Sequence, residues 1–259
     1  MPGSERGEIL GELATAVHAA GDLALTTFNA ALKHWTKGKD SPVSEADIAI
    51  DNLLRERLSA IVPDAGWLSE ETEDDHARLD RRRVWVVDPI DGTRAYIAGL
   101  LDWSISAALV EDGRPTVAAL FAPAENEFYT AVLGEGATCN RQRLEASDGS
   151  LAHARISGPR RITEQIAAMV PTIIALPRVH SLALRFARVA QGRLDAALSA
   201  GNSHDWDLAA ADLLVHEAAG ALTTLAGEQI LYNRAEPVHG PLLAAGRSRH
   251  RVLRDVLSK

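Results

Sequence analysis

Trp85-Val-Val-Asp88-Pro-Ile-Asp91-Gly-Thr93 is the stretch on which the fold and the chemistry turn. Val84 to Val87 reads as a short buried strand, bounded by Arg81-Arg-Arg83 on one side and Asp88-Pro89 on the other. The strand ends in two carboxylates, with Pro89 and Gly92 forcing a turn between and after them. Carboxylates at the C-terminal end of a strand face the crevice in which α/β proteins bind ligands. Two oxygen ligands this close suit a hard cation such as Mg²⁺, which takes carboxylates, waters and substrate phosphate. Gly92 and Thr93 would add backbone N–H groups at the start of a helix running from Arg94, which is an anion site. Cation and phosphate held on one short loop is what metal-assisted phosphoryl transfer needs. An isolated Asp-Pro or Asp-Gly pair reads first as an ordinary turn, so the surrounding chain decides.

Upstream, apolar residues recur at helical spacing from Glu8 to about Trp35, through Leu10, Leu13, Val17, Leu23, Leu25, Phe28 and Leu32, with Gly21 as a candidate break. Thr36 to Pro42 reads as a polar, basic loop. Ser44-Glu-Ala-Asp47 is a capping box that opens a second helix through Ile48, Leu53, Leu54, Leu58 and Ile61, which Pro63 ends. An acidic loop, Ser69 to Asp75, leads into the central strand. Downstream the pattern turns to β: Ser104–Val110, a turn at Asp112-Gly113, Thr116–Phe121 and Phe128–Leu133 form an antiparallel meander. Helix and strand then alternate: Ser181–Ala190 helical, Asp195–Leu198 extended, Trp206–Ala219 helical with Gly220 as its stop, Pro241–Ala245 extended, and Ser248–Leu257 helical and basic. The class is a layered α/β sandwich with mixed sheets. Two lobes are expected, residues 1–145 with most of the candidate metal ligands and residues 146–259 with Asp207 and the substrate-side loops.

Composition narrows the function. The 259 residues are 46% hydrophobic and 24% charged, with a formal net charge of −8. A chain of this length buries roughly three quarters of its unfolded surface, and its apolar content excludes disorder. No run of about 18 apolar residues is present to span a membrane. MPGSERGEIL lacks the basic and apolar regions of a secretory signal. Cys139 is the only cysteine, which excludes a disulfide framework and a Cys-rich zinc site and makes a reducing cytoplasm the expected compartment. The acidic balance argues against a nucleic-acid polymer as partner and is compatible with a site that concentrates cations.

Other carboxylates have two readings each. Ser69-Glu70-Glu71-Thr72-Glu73-Asp74-Asp75 reads alone as a solvated loop, yet it directly precedes the buried strand, where one Glu turned inward would be a further ligand. Asp205-Trp206-Asp207 opens a helix, where an Asp is ordinarily a cap at the positive end of the dipole. Asp47 completes the box at Ser44 in the same way.

Taken in order, Pro42-Val-Ser-Glu-Ala-Asp47, Ser69-Glu70-Glu71, Asp88-Pro-Ile-Asp91-Gly-Thr93, Trp206-Asp207-Leu-Ala-Ala-Ala and Glu217-Ala-Ala-Gly220 resemble the inositol monophosphatase family, from about residue 8 to 245. The resemblance implies an αβαβα sandwich and a Mg²⁺-dependent phosphomonoesterase acting on a small phosphate ester, commonly a Li⁺-sensitive homodimer. It implies that Glu70, Asp88 and the Ile90 carbonyl hold a first Mg²⁺. Asp88, Asp91 and Asp207 would hold a second, and a third, weaker ion would sit on Glu70. Thr93, paired with Asp47, would orient the attacking water, while Asp91 and the Gly92 and Thr93 N–H groups meet the substrate. Two metals roughly 3.5–4 Å apart stabilise the attacking and leaving oxygens together, so no protein nucleophile is required. Carboxylates crowded into one site repel unless cations join them.

The substrate end departs from the pattern. Inositol-cleaving members usually continue Asp-Gly-Thr with Thr-Asn-Phe; here Arg94-Ala95-Tyr96 follows, closer to the branch that hydrolyses 3′-phosphoadenosine 5′-phosphate. The stretch Leu198–Asp207 lacks the Glu that binds sugar hydroxyls. A sugar or inositol phosphate comes first by family size, with the 3′(2′)-phosphonucleotide and histidinol phosphate close behind. Arg94, His180 and His204 are candidate substrate contacts, each with an ordinary surface role as its alternative. Lys37 and Lys39 lie in a loop that closes over the metals in relatives or is simply a solvated basic loop. Gly134-Glu-Gly136 is not a dinucleotide fingerprint, and the arginines from Arg247 to Arg254 read as a solvated helix face. Two rival readings stand beside the enzyme: a regulatory interaction protein, and a cation-binding domain without turnover.

Overall fold

The computed structural model describes residues 3–28, 33–37 and 41–258. Helix α1 (Gly3–Thr27) and the antiparallel pair β1 (His34–Lys37) and β2 (Ser41–Ser44) precede α2 (Glu45–Ile61). The expected helix to Trp35 therefore stops at Thr27, and Trp35 lies in β1. Phe28, just past the helix, still donates its N–H to the Ala24 carbonyl at 2.9 Å and packs its ring on Tyr96 and Trp103, with centroids at 5.5 and 5.4 Å. Gly21 does not break α1: a Cβ there would lie 2.3 Å from the Phe121 ring, so this glycine lets helix and sheet approach. Lys39 lies outside the described residues, and so does the Lys37 side chain.

The first sheet runs β3 (Gly66–Ser69), β4 (Arg83–Asp91), β5 (Ser104–Glu111), β6 (Arg114–Ala122), β7 (Glu127–Val132), β8 (Gly136–Cys139) and β9 (Gln142–Arg143), neighbours in sequence being neighbours in space. Only β3 and β4 pair in parallel. Asp112 and Gly113 both take positive φ, 50° and 76°, which gives the tight turn its twist match to β5 and β6. The short helix α3 (Thr93–Ile97) lies between β4 and β5. The chain continues with β10 (Arg155–Ser157), α4 (Arg160–Met169), β11 (Ile174–Ala175), α5 (Leu182–Ala190), β12 (Ala196–Ser199) and β13 (Ser203–His204). Helix α6 (Asp205–Glu217), β14 (Gly220–Thr224), β15 (Val238–His239), β16 (Leu242–Gly246) and α7 (Arg247–Leu257) complete it. The second sheet has the order β11-β10-β12-β16-β14, and β13 pairs with β15.

Strand alternation sorts these elements into five layers. On β4, Trp85 and Val87 point to a core shared with Leu13 and Val17 of α1 and Ile50 and Leu54 of α2. Val84 and Val86 point the other way, to a core shared with Leu184 and Phe186 of α5, Leu208 and Leu214 of α6, and Leu242 and Ala244 of β16. Leu243 and Ala245 then face a third core with Ile166 of α4 and Leu253 of α7. The architecture is the α/β sandwich expected, αβαβα. No helix among the described residues is long and apolar enough to cross a membrane.

Candidate active site

The ends of β3 and β4 and the starts of α2, α3, α5 and α6 meet at the C-terminal end of β4. Its pairing with β5 shifts register between Asp88, opposite Ser106, and Asp91, opposite Ser104, so that Pro89 and Ile90 bulge between the two carboxylates. Gly92 follows with φ 94° and lies so close to the next segment that a Cβ would meet the Ser181 nitrogen at 3.2 Å. Asp207 comes in from the first turn of α6, and Asp47 from the first turn of α2. Glu70 follows β3, its N–H reaching the Val87 carbonyl at 3.4 Å, one residue before Asp88.

One carboxylate oxygen each from Asp88, Asp91 and Asp207 lie within 4.8 Å of one another. Asp88 is buried, and neither of its oxygens has a hydrogen-bond partner. Burial, and then the charges of Glu70, Asp91 and Asp207, hold its carboxyl well above the ordinary range. Burial also raises Asp207 well above that range, with Asp91 the largest neighbouring charge. Asp91 is raised by burial against the hydrogen bonds its Oδ2 accepts from the Ser181 hydroxyl and the Ala183 N–H, each 2.6 Å. A buried acidic group with unpartnered oxygens is unfavourable by itself, and a hard divalent cation supplies what is missing. The donor set fits Mg²⁺.

The helix caps serve the same place. Asp47 Oδ2 accepts the Ser44 N–H at 2.8 Å and the Ser44 hydroxyl at 2.6 Å, while its Oδ1 lies 3.2 Å from the Thr93 hydroxyl. The Thr93 hydroxyl also reaches the Ile90 carbonyl at 3.0 Å. Burial raises the Asp47 carboxyl. Asp207 Oδ2 accepts the His204 N–H at 2.6 Å, so this residue is both a cap and a member of the acidic cluster. Capping and the cluster were alternatives in the sequence; in the fold they coexist.

A pocket of about 600 Å³ opens over the cluster, with Glu70, Asp88, Asp91 and Asp207 in its lining, Gly92 and Thr93 at the turn, and Arg94, Arg178 and His180 alongside the apolar Ala98 and Leu100. His204 is in an adjoining recess that shares Glu70, its ring stacked on Trp206 at 4.5 Å. Asp205 is turned away, accepting from Asn233 N–H and pairing with His239 Nε2 at 2.6 Å. Sequence reasoning missed Arg178 and Asp102. The Asp102 carboxylate accepts the His180 N–H at 2.8 Å and meets its Nδ1 at 2.7 Å. The residues are far apart in the chain, and no local pattern joins them.

A model of the inositol monophosphatase family matches residues 7–257. A histidinol-phosphatase of Mycobacterium tuberculosis is 35% identical over 205 residues, 74% of this chain and 77% of the relative. An inositol-1-monophosphatase of Rhizobium meliloti is 32% identical over 234 residues, 86% of this chain and 87% of the relative. Among solved structures, extragenic suppressor protein suhB of Bartonella henselae aligns with a TM-score of 0.85 at 27% identity, covering 97% of this chain and 99% of that one.

Proposed function

This chain belongs to the inositol monophosphatase family and is a phosphomonoester hydrolase, and from that premise we propose that it is Mg²⁺-dependent and acts on a small phosphate ester through two or three ions. Glu70, Asp88 and the Ile90 carbonyl would hold one ion; Asp88, Asp91 and Asp207 would hold another. The bound ions would supply positive charge against the phosphate and lower the pKa of coordinated water.

The remaining work falls to the chain itself. The Thr93 hydroxyl, between Asp47 Oδ1 and the Ile90 carbonyl, orients the attacking water and passes its proton toward Asp47. The Gly92 and Thr93 N–H groups receive the phosphate oxygens. Ser181 and the first turn of α5 fix the Asp91 carboxylate. The observation that carries this reading is Asp88, buried with two unpartnered oxygens among three other acidic side chains.

Phosphate release tests it. The panel is myo-inositol 1-phosphate, 3′-phosphoadenosine 5′-phosphate, histidinol phosphate, fructose 1,6-bisphosphate and glycerol 2-phosphate, each with Mg²⁺ and with EDTA. Mg²⁺-dependent release, abolished by Asp88→Asn in a folded protein, is expected. Release unaffected by EDTA would defeat the metal assignment. No release from any ester would favour the cation-binding domain without turnover.

A further inference from the structure

The pocket has a second, basic side that the scissile phosphate leaves unused. That phosphate belongs beside the carboxylates, where cations and the Gly92–Thr93 turn meet it. Arg178 and His180 line the same pocket from the segment before α5, and Arg94 lines it from α3. Residues 178–180 alternate, with Val179 buried and Arg178 and His180 exposed.

This alternation is fixed from inside. Arg185, almost fully buried in α5, donates from Nε to the Val179 carbonyl and from Nη1 to the Leu198 carbonyl, both at 3.1 Å. Asp102 grips the next residue through the backbone N–H and ring Nδ1 of His180, and its own carbonyl accepts the Ser181 N–H at 3.1 Å. A buried arginine and an acidic clamp thus hold an exposed arginine at the mouth of the pocket. Among the described residues Arg178 has no ion-pair partner of its own. A guanidinium placed there offers an anion several N–H donors in a planar fork.

We propose that Arg178, beside the His180–Asp102 pair and Arg94, forms a subsite for a second anionic group, so that the preferred substrate is a phosphate ester carrying a further phosphate or carboxylate. This rests on the phosphomonoesterase reading of the same pocket. The scissile phosphate sits at the carboxylate cluster, the second anion meets Arg178, and the approximately 600 Å³ of the pocket accommodates both.

Matched substrates test it, with Mg²⁺ present throughout. Two pairs differ by a phosphate, over two spans: myo-inositol 1-phosphate against myo-inositol 1,4-bisphosphate, and adenosine 3′-phosphate against adenosine 3′,5′-bisphosphate. A third pair differs by a carboxylate, glycerol 2-phosphate against 2-phosphoglycerate. In at least one pair the second anion raises kcat/KM by about tenfold or more, mainly through KM, as one charge-assisted contact would. Arg178→Ala brings that ratio toward one, and Arg178→Lys restores part of it. A response confined to the phosphate pairs assigns a phosphate subsite; one confined to the glycerol pair assigns a carboxylate subsite. Ratios near one in every pair, or a ratio that survives Arg178→Ala, overturn the subsite. Calorimetric binding of the same pairs to Mg²⁺-loaded Thr93→Ala protein reads the preference without turnover. Absence of hydrolysis would therefore count against the phosphatase reading alone, while the binding ratio still decides the subsite.

Discussion

The Ser181 hydroxyl donates to Asp91 Oδ2 at 2.6 Å, joining the start of α5 to the end of β4. Ser181 Oγ also accepts the Leu184 N–H at 2.9 Å and lies 2.9 Å from Ser104 Oγ, so the hydroxyl has one fixed direction. Groups that orient a metal-ligating carboxylate commonly carry a tenfold to hundredfold effect. Ser181→Ala should weaken Mg²⁺ activation of phosphate release by about that factor, and the lost helix cap should lower stability by about 1 kcal/mol. A Mg²⁺ titration of activity checks the first effect and thermal melting the second. An unchanged Mg²⁺ midpoint would mean that the Ala183 N–H alone holds Asp91.

Asp88 makes the opposite prediction for stability. Its oxygens are buried, unpartnered and repelled by Glu70, Asp91 and Asp207. Asp88→Asn removes that repulsion, so without metal the variant should be more stable than the parent, by about 1–3 kcal/mol. With millimolar Mg²⁺ the order should reverse, because only the parent gains binding energy. Melting curves with EDTA and with Mg²⁺ decide it, and a variant less stable in both conditions would defeat the argument.

Thr93 and Asp47 are predicted to act on rate rather than on metal affinity. Asp47→Asn keeps an oxygen for the Ser44 cap but loses the basic carboxylate 3.2 Å from the Thr93 hydroxyl. Asp47→Asn and Thr93→Ala should each lower kcat by about 10²–10⁴-fold, with the Mg²⁺-dependent rise in melting temperature retained. Because the two side chains would serve one proton path, the double variant should cost little more than the worse single one. Additive losses would separate them into independent roles.

How far the sequence reaches depends on how local each signal is. The α2 cap, the Asp112-Gly113 turn and the apolar run into Asp88 all announce themselves within a few residues, and all three stand in the structure. The end of α1 does not, since the helical spacing runs on through Phe28 to Trp35, whereas Trp35 is held in β1 by its pairing with Val43 of β2. Strand β3 was hidden because Gly66–Ser69 carries no alternation of its own and exists through its parallel pairing with β4. The same divide runs through the site. Its carboxylates sit in legible motifs, whereas the Asp102–His180 clamp and Arg178 depend on contacts between β5's approach and α5's entry.

Asp195 supplies a pH prediction remote from the acidic cluster. Its carboxylate accepts Arg155 Nε at 2.9 Å, the Arg155 backbone N–H at 2.8 Å and the Ser147 hydroxyl. Burial alone would raise the carboxyl, but these hydrogen bonds outweigh it and bring it down to about 2. An unfolded aspartate titrates near 3.9. A folded pKa below the unfolded one means that the unfolded chain binds protons first as pH falls. The stabilisation is therefore complete above about pH 5 and is lost as pH drops through about 4 toward 2. Partial exposure of the Arg155 side chain reduces the effect to about 1–2 kcal/mol. Asp195→Asn should accordingly be less stable than the parent at pH 7 and approach it near pH 2.5. Denaturant melts at both pH values measure this gap, and a gap that stays constant between them would show that packing, not charge, is what Asp195 contributes.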